Sequence, residues 1–165
     1  MPKRKILRAV LAALLLLELA AIFQLSHEPA AQSDLTSAAF TSQMLAADSD
    51  YLAASQAERD ARVQSMQKGV RTLAHLSEYI LLGLTAAAFA LTFDQSLRGA
   101  LLAAGGCVLW AVGDEIHQYF VPGRSCQLAD VAVDSFGALL GAAIAWGLLR
   151  LGTALLKKRK DDSHE

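Results

Sequence analysis

The chain has 165 residues, of which 54% are hydrophobic and 19% charged, with 15 basic residues set against 16 acidic ones. That composition excludes a disordered tail, a collagen-like rod and a basic nucleic-acid binder, and the length accommodates a single domain over residues 1–165. The apolar residues come in long blocks rather than one-sided stripes, which excludes an ordinary soluble domain and points to a membrane protein.

Four blocks are long enough to cross a hydrocarbon core of roughly 30 Å as helices of about 20 residues. The first spans 6–25 and is interrupted only by Arg8 and Glu18. The basic MPKRK start followed by an apolar run has the form of a signal peptide. The run is long, carries Glu18 and lacks a clean A-x-A site, so a retained anchor is the expectation. Residues 26–72 follow as a connection rich in Ala, Ser and Gln with no glycine before Gly69. Val63, Met66, Val70 and Leu73 recur at helical spacing, so this loop reads as partly helical, either lying in the membrane interface or covering whatever lies below it.

The second span, 73–93, carries His75, Glu78 and Tyr79 near its start. The third, 97–119, turns polar at its end with Asp114, Glu115, His117 and Gln118, and the fourth, 128–151, begins with Asp130 and Asp134. Lys3, Arg4, Lys5 and Arg8, then Arg98, then Arg150 and the Lys157–Lys160 run share one side of a four-span arrangement. Positive flanks stay in the cytoplasm, so both termini are expected there, with the 26–72 loop outside the bacterial cytoplasmic membrane. The expected fold is an all-α membrane protein of four transmembrane helices with a partly helical extracytoplasmic loop between the first and second.

With that threading, every span sends ionisable groups to the outer half of the bilayer. His75 with Glu78 and Tyr79, Asp114 with His117 and Gln118, and Asp130 with Asp134 each share a helix face. A charge turned toward lipid is costly, so an interior pocket is the default expectation. Six acids (Glu18, Glu78, Asp114, Glu115, Asp130 and Asp134) face few cations. Some must be protonated, hydrated or held by a bound cation.

Between the third and fourth spans, Pro122-Gly123 suits the centre of a type II turn that would hold Arg124 over the acids. Arg124 would then either neutralise them or grip a carboxylate or phosphate ligand. Three readings of the cluster compete: a divalent-metal site using His75, Glu78, Asp114, His117 and Asp130, a proton-linked or polar-ligand site, and helix–helix glue. Glu18 reads as an acid hydrogen-bonded to a neighbouring helix. Gly137-x-x-x-Gly141 and Gly105-Gly106 read as close-packing signals, Cys107 as a buried apolar side chain, and Trp110 and Trp146 as packing residues.

Four segments carry a resemblance to a known family. They are Leu25-Ser26-His27-Glu28-Pro29, Arg71-x-x-x-His75-x-x-Glu78-Tyr79, Asp114-Glu115-x-His117-Gln118-x-Phe120-x-Pro122-Gly123-Arg124 and Asp130-x-x-x-Asp134-x-x-Gly137-x-x-x-Gly141. In order and spacing they resemble the VanZ family of small bacterial membrane proteins. Thr72, Glu28 and Asp134 depart from the residues usual in that family, Asp134 standing where Asn is common. The resemblance implies a cell-envelope protein related to resistance against teicoplanin, a lipid-tailed glycopeptide. Together with the cluster it suggests a pocket of His75, Glu78, Tyr79, Asp114, Glu115, His117, Gln118, Arg124, Asp130 and Asp134 for an anionic or lipid-tailed envelope ligand. The alternative is an intramembrane hydrolase or transferase on a lipid-linked substrate, using a metal or a Glu/His acid–base pair.

Overall fold

The structure, a computed structural model, describes residues 2–162. Six helices follow one another: α1 (Pro2–Ser26), α2 (Ala30–Leu45), α3 (Ser49–Ala53), α4 (Gln56–Leu91), α5 (Leu97–Gln118) and α6 (Leu128–Asp162). Four of them, α1, α4, α5 and α6, are long and apolar enough to cross a membrane. Together they form an antiparallel bundle. One end carries the start of α1, the end of α6 and the short α4–α5 turn; the other carries α2, α3 and the α5–α6 loop.

Two helices run well past the expected spans. No proline interrupts residues 56–91, and the nearest start signal is Ser55. Its hydroxyl accepts from Glu58 N while the Glu58 carboxylate accepts from Ser55 N at 2.9 Å, closing a capping box. A helix of 36 residues is about 54 Å long, so its first four to five turns stand clear of a hydrocarbon layer. The 26–72 connection therefore holds α2, α3 and the start of α4. At the opposite end α6 continues through Lys157–Lys160. In the α4–α5 turn, the Asp94 carboxylate takes Ser96 N at 3.0 Å and Ser96 Oγ at 2.9 Å. Those two bonds hold its pKa below the usual carboxylate value.

Apart from Tyr79, Leu82, Ile22 and Leu91, the interior is rich in small side chains and the perimeter in large ones. Ala87, Ala100, Ala104, Ala111, Ala138 and Ala142 are buried, whereas Leu16, Leu17, Leu101, Leu102, Leu109 and Phe136 face outward. In lipid, association gains nothing from hiding leucine, and small residues let backbones approach closely. The tightest approach is α4 on α6. A Cβ on Gly83 would strike the Ala138 backbone, and one on Gly141 would strike the Ile80 carbonyl. Gly137 meets Leu76 O and the Tyr79 side chain in the same way. The Gly137/Gly141 expectation thus describes the main seam of the fold. Gly105 and Gly106 instead face open space, and Trp110 stands on the outer surface rather than in the packing. Trp146 and Cys107 do pack against the core.

Helix α1 is the least embedded. It is tied on by polar contacts at three depths. Arg8 Nη2 donates to Thr92 O at 2.7 Å, with its guanidinium 3.7 Å over the Phe93 ring. Thr85 Oγ1 donates to Glu18 at 2.9 Å, and Ser26 Oγ donates to Asp114 at 2.7 Å. Glu18 therefore has the neighbouring-helix partner expected of it.

Gly141→Leu should destabilise the protein by about 3 kcal/mol, the upper end for overpacking, because backbone rather than a flexible side chain stands in the way. Gly105→Ala, in open space, should be neutral or gain up to ~1 kcal/mol from helix propensity. Denaturant unfolding in detergent, followed by helical circular dichroism, compares the two.

Candidate functional site

At the end of the bundle away from the termini, the α5–α6 loop reverses the chain through Val121-Pro122-Gly123-Arg124. Arg124 N bonds Val121 O at 3.1 Å and Gly123 has φ +78°, the conformation that glycine supplies at the third position of a type II turn. Pro122 O accepts Ala30 N at 3.1 Å, fastening the loop to the first turn of α2.

Arg124 is spread across this junction. Its Nε donates to Glu28 O at 2.9 Å, Nη2 to Leu25 O at 3.1 Å and Nη1 to Gln118 Oε1 at 3.2 Å. Among the described residues, no carboxylate lies within ion-pair range of it. In place of the neutralising ion pair expected from the sequence, the geometry is that of a strut joining α1, α5 and the loop. Burial holds its pKa below the ordinary arginine value. Two of its five N–H groups are still unspent.

Below the strut lies a layer of buried polar side chains. Asp114 accepts from Ser26 Oγ at 2.7 Å and Gln118 Nε2 at 3.1 Å. Glu115 Oε2 accepts Gln127 N at 2.8 Å, capping the start of α6, while its Oε1 is buried without a partner. Asp134 is 0% exposed and neither carboxyl oxygen has a hydrogen bond. The Tyr79 hydroxyl, equally buried, has none either. Facing Asp134 is His75, whose Nδ1 sits 3.7 Å from Asp134 Oδ1, close but beyond hydrogen-bond length.

Two cavities open above this layer. The larger, about 880 Å³, is a polar chamber between α2, the start of α4 and the α5–α6 loop. Lys68, Arg71 and Arg124 line it, with Asp34 and Asp130 as the opposing carboxylates. The smaller, about 290 Å³, is a more apolar slot with Leu25, Phe40, Val70 and Ala74 in its walls. Arg71, His75 and Arg124 border both. Arg71 Nη1 pairs with Asp34 at 2.6 Å, and Gln67 Nε2 reaches Asp34 O and Ser37 Oγ, so α2 is the shared wall of chamber and slot. The Lys68 ammonium has no partner among the described residues.

The ten expected pocket residues divide into three groups. His75, Gln118, Arg124 and Asp130 line the chamber, and Glu78 lines the slot. Tyr79, Asp114, Glu115 and Asp134 lie behind them in the buried layer. His117 is elsewhere. Its Nε2 meets His27 Nδ1 at 3.2 Å and its ring packs on Phe23 at 4.8 Å, on the α1 side of α5. The set His75, Glu78, Asp114, His117 and Asp130 is consequently not gathered at one point. Among the described residues, no three His, Cys, Asp or Glu side chains come together as metal ligands.

Sequence reasoning missed Lys68, Asp34 and Gln67 entirely. They sit in the 26–72 connection, where only helical docking, not local pattern, brings them to the site. Ser26 carried a usable signal, since it falls within the Leu25–Pro29 segment that bears the family resemblance.

A family model described as VanZ/LLP1 matches residues 9–150, from within α1 to the last membrane-depth turns of α6. No curated protein and no solved structure matches the chain.

Arg124→Ala should cost about 2–4 kcal/mol, because it strips bonds to a charged donor from three acceptors at once. Arg124→Lys should recover less than half of that, since an ammonium cannot span the three positions that the guanidinium fork reaches. Unfolding midpoints, together with the rate of protease cleavage at residues 119–127, measure both.

Proposed function

The chain belongs to the VanZ/LLP1 family, and we propose that it is a cell-envelope membrane protein whose paired cavities hold an anionic, lipid-tailed envelope ligand. The observation that carries this reading is the common border of Arg71, His75 and Arg124 between a cation-lined chamber and an apolar slot. An amphiphile with a charged head needs those two environments side by side. The chamber's volume lies in the upper range for small-molecule sites, so it suits a head group larger than a bare phosphate.

Lys68, Arg71 and Arg124 outnumber Asp34 and Asp130 in the chamber, which favours an anion. Lys68 is the cation with most to give, because Arg71 is paired with Asp34 and Arg124 is engaged as a strut. The ligand-gripping role assigned to Arg124 from sequence is thereby narrowed to its two unspent N–H groups. Helix α2 serves as the lid.

The site faces outward in this reading. Ten of the fifteen Lys and Arg residues lie at the terminus-bearing end, which the positive-inside rule keeps in the cytoplasm. A head-group site on the opposite face would meet lipid-linked wall precursors or lipid-tailed glycopeptides such as teicoplanin.

Lys68→Ala should weaken binding of an anionic lipid by about tenfold, equivalent to ~1.4 kcal/mol, and should flatten the salt dependence of binding. Co-sedimentation of purified protein with anionic and neutral vesicles measures both effects, and unchanged binding would remove the chamber from the reading. In a glycopeptide-sensitive host, expression should raise the inhibitory concentration of teicoplanin over that of vancomycin. Orientation has a native probe in Cys126, which is exposed in the α5–α6 loop while Cys107 is buried. A membrane-impermeant maleimide should label Cys126 in intact cells, and labelling only after lysis would reverse the assigned topology.

A further inference from the structure

A lipid lying with its head in the chamber and its tail in the slot must carry the linkage between them past the residues common to both. Those residues are Arg71, His75 and Arg124. Two are guanidinium groups with N–H donors to spare, suited in shape to the oxygens of a phosphoryl group. The third is an imidazole. Its Nδ1 is turned inward, buried and without a hydrogen bond, toward Asp134 Oδ1 at 3.7 Å.

Asp134 is fully buried and neither of its oxygens has any other use in the fold. Leaving both oxygens of a carboxyl without partners costs stability, and no packing role requires a carboxyl there. An imidazole backed by a buried carboxyl on one nitrogen and open to a cavity on the other edge is the arrangement by which proteins orient a histidine base. The gap of 3.7 Å leaves this pair to close when the site fills, as acid–base contacts commonly do on ligand binding.

Resting on the reading of the two cavities as one lipid-tailed ligand site, we propose that the protein hydrolyses a phosphoester linking a polar head to a lipid tail, with His75 as general base and Asp134 as its positioning residue. A water from the chamber attacks phosphorus while His75 Nε2 takes one of its protons. The phosphorus–oxygen bond on the far side breaks, the departing oxygen takes a proton from chamber water, and the imidazolium returns its proton to solvent. One water is consumed, and one phosphate monoester and one hydroxyl, or a second phosphate, are released. Arg71 and Arg124 neutralise the charge that builds on the non-bridging oxygens, the step at which preorganised donors count most. Asp134 holds the imidazole with Nε2 toward the water and balances its transient positive charge.

Two lipid classes share this chemistry, glycerophospholipids and polyprenyl diphosphate-linked sugars. Purified full-length protein should therefore be given phosphatidylcholine vesicles doped with phosphatidylglycerol, and separately with a polyprenyl diphosphate sugar. Mass spectrometry reads the products, and co-sedimentation reads binding of the same vesicles. The expected result is product from one of the two, which identifies the source, falling by about 100-fold or more in His75→Ala and in His75→Gln. Added imidazole should restore part of the loss in His75→Ala, which a purely structural histidine would not allow. Asp134→Asn should lower kcat by about tenfold or more with KM nearly unchanged, as expected of a residue acting through the base.

If wild-type protein binds a doped vesicle but yields no more product than His75→Ala, hydrolysis is overturned and the binding reading survives. Cleavage undiminished in both His75 variants would overturn the assignment of the base. Failure to bind either lipid would overturn the cavity reading and this inference together.

Discussion

The contact of α4 with α6 across Gly83, Gly137 and Gly141 is the constraint from which the remaining geometry follows. With no Cβ at these positions, the Ala138, Leu76 and Ile80 backbones come to distances that any side chain would prevent. Tyr79 and Asp134 lie one turn from this seam on facing helices, so close backbone approach is what buries both completely. His75, one turn earlier on α4, is brought against Asp134 by the same registration. A looser α4–α6 pair would admit lipid or water between them, and the unpaired Asp134 oxygens would no longer be sequestered. Packing of small residues, which in lipid stands in for the hydrophobic effect, is here also what assembles the polar layer.

Helix α1 and the α5–α6 loop obey a different logic. They hold their places through charged and polar contacts, which for α1 add to the packing of Ile22, Leu15 and Leu19 on the core. Arg8 on Thr92, Glu18 on Thr85 and Ser26 on Asp114 fasten α1 at the near end, the middle and the far end of its length. Arg124 then links the end of α1 to the loop through Leu25 O and Glu28 O. In a low-dielectric surround an unmet polar group is expensive, so each such pair specifies a register as well as adding energy. The two cavities sit where this fastened part meets α2, which is held by the Arg71–Asp34 ion pair and two bonds from Gln67. A wall secured by exposed polar contacts belongs to the low-stability end of the structure, which suits the lid role proposed for α2.

Much of this was legible in the amino-acid sequence, and the remainder failed for identifiable reasons. The four membrane-length helices follow from uninterrupted apolar blocks, and the Pro122-Gly123 turn follows from backbone chemistry that few other residue pairs satisfy. Gly137 and Gly141 were readable because one helix face repeats every four residues. Gly105 and Gly106 misled because adjacent glycines lie on different faces, and neither of those faces meets a neighbour. His117 shares a helix face with Asp114 and Gln118, but sequence spacing cannot say how far a side chain leans, and this one leans to Phe23 and His27 on α1. Lys68, Asp34 and Gln67 could not be found at all, because they lie in a polar stretch whose role is set by where α2 docks. Arg124 was expected to pair with the acids, yet two of its three partners are main-chain carbonyls, which no sequence displays.

The division of charge gives the site its direction. The buried layer supplies acids at membrane depth, on α5 and α6, whereas the chamber cations come from the start of α4 and the α5–α6 loop, beyond the apolar spans. In the proposed reading an anion entering from water would meet Lys68 and Arg71 first and be opposed by the acid layer if it moved deeper. A lipid tail would lie against Leu25, Phe40, Val70 and Ala74 of α1, α2 and α4, with Glu28 and Glu78 also lining the slot. On that reading, head and tail would be sorted by these opposed preferences. Arg71, His75 and Arg124 form the border common to both cavities, so the linkage of the proposed ligand would lie against the histidine that Asp134 faces.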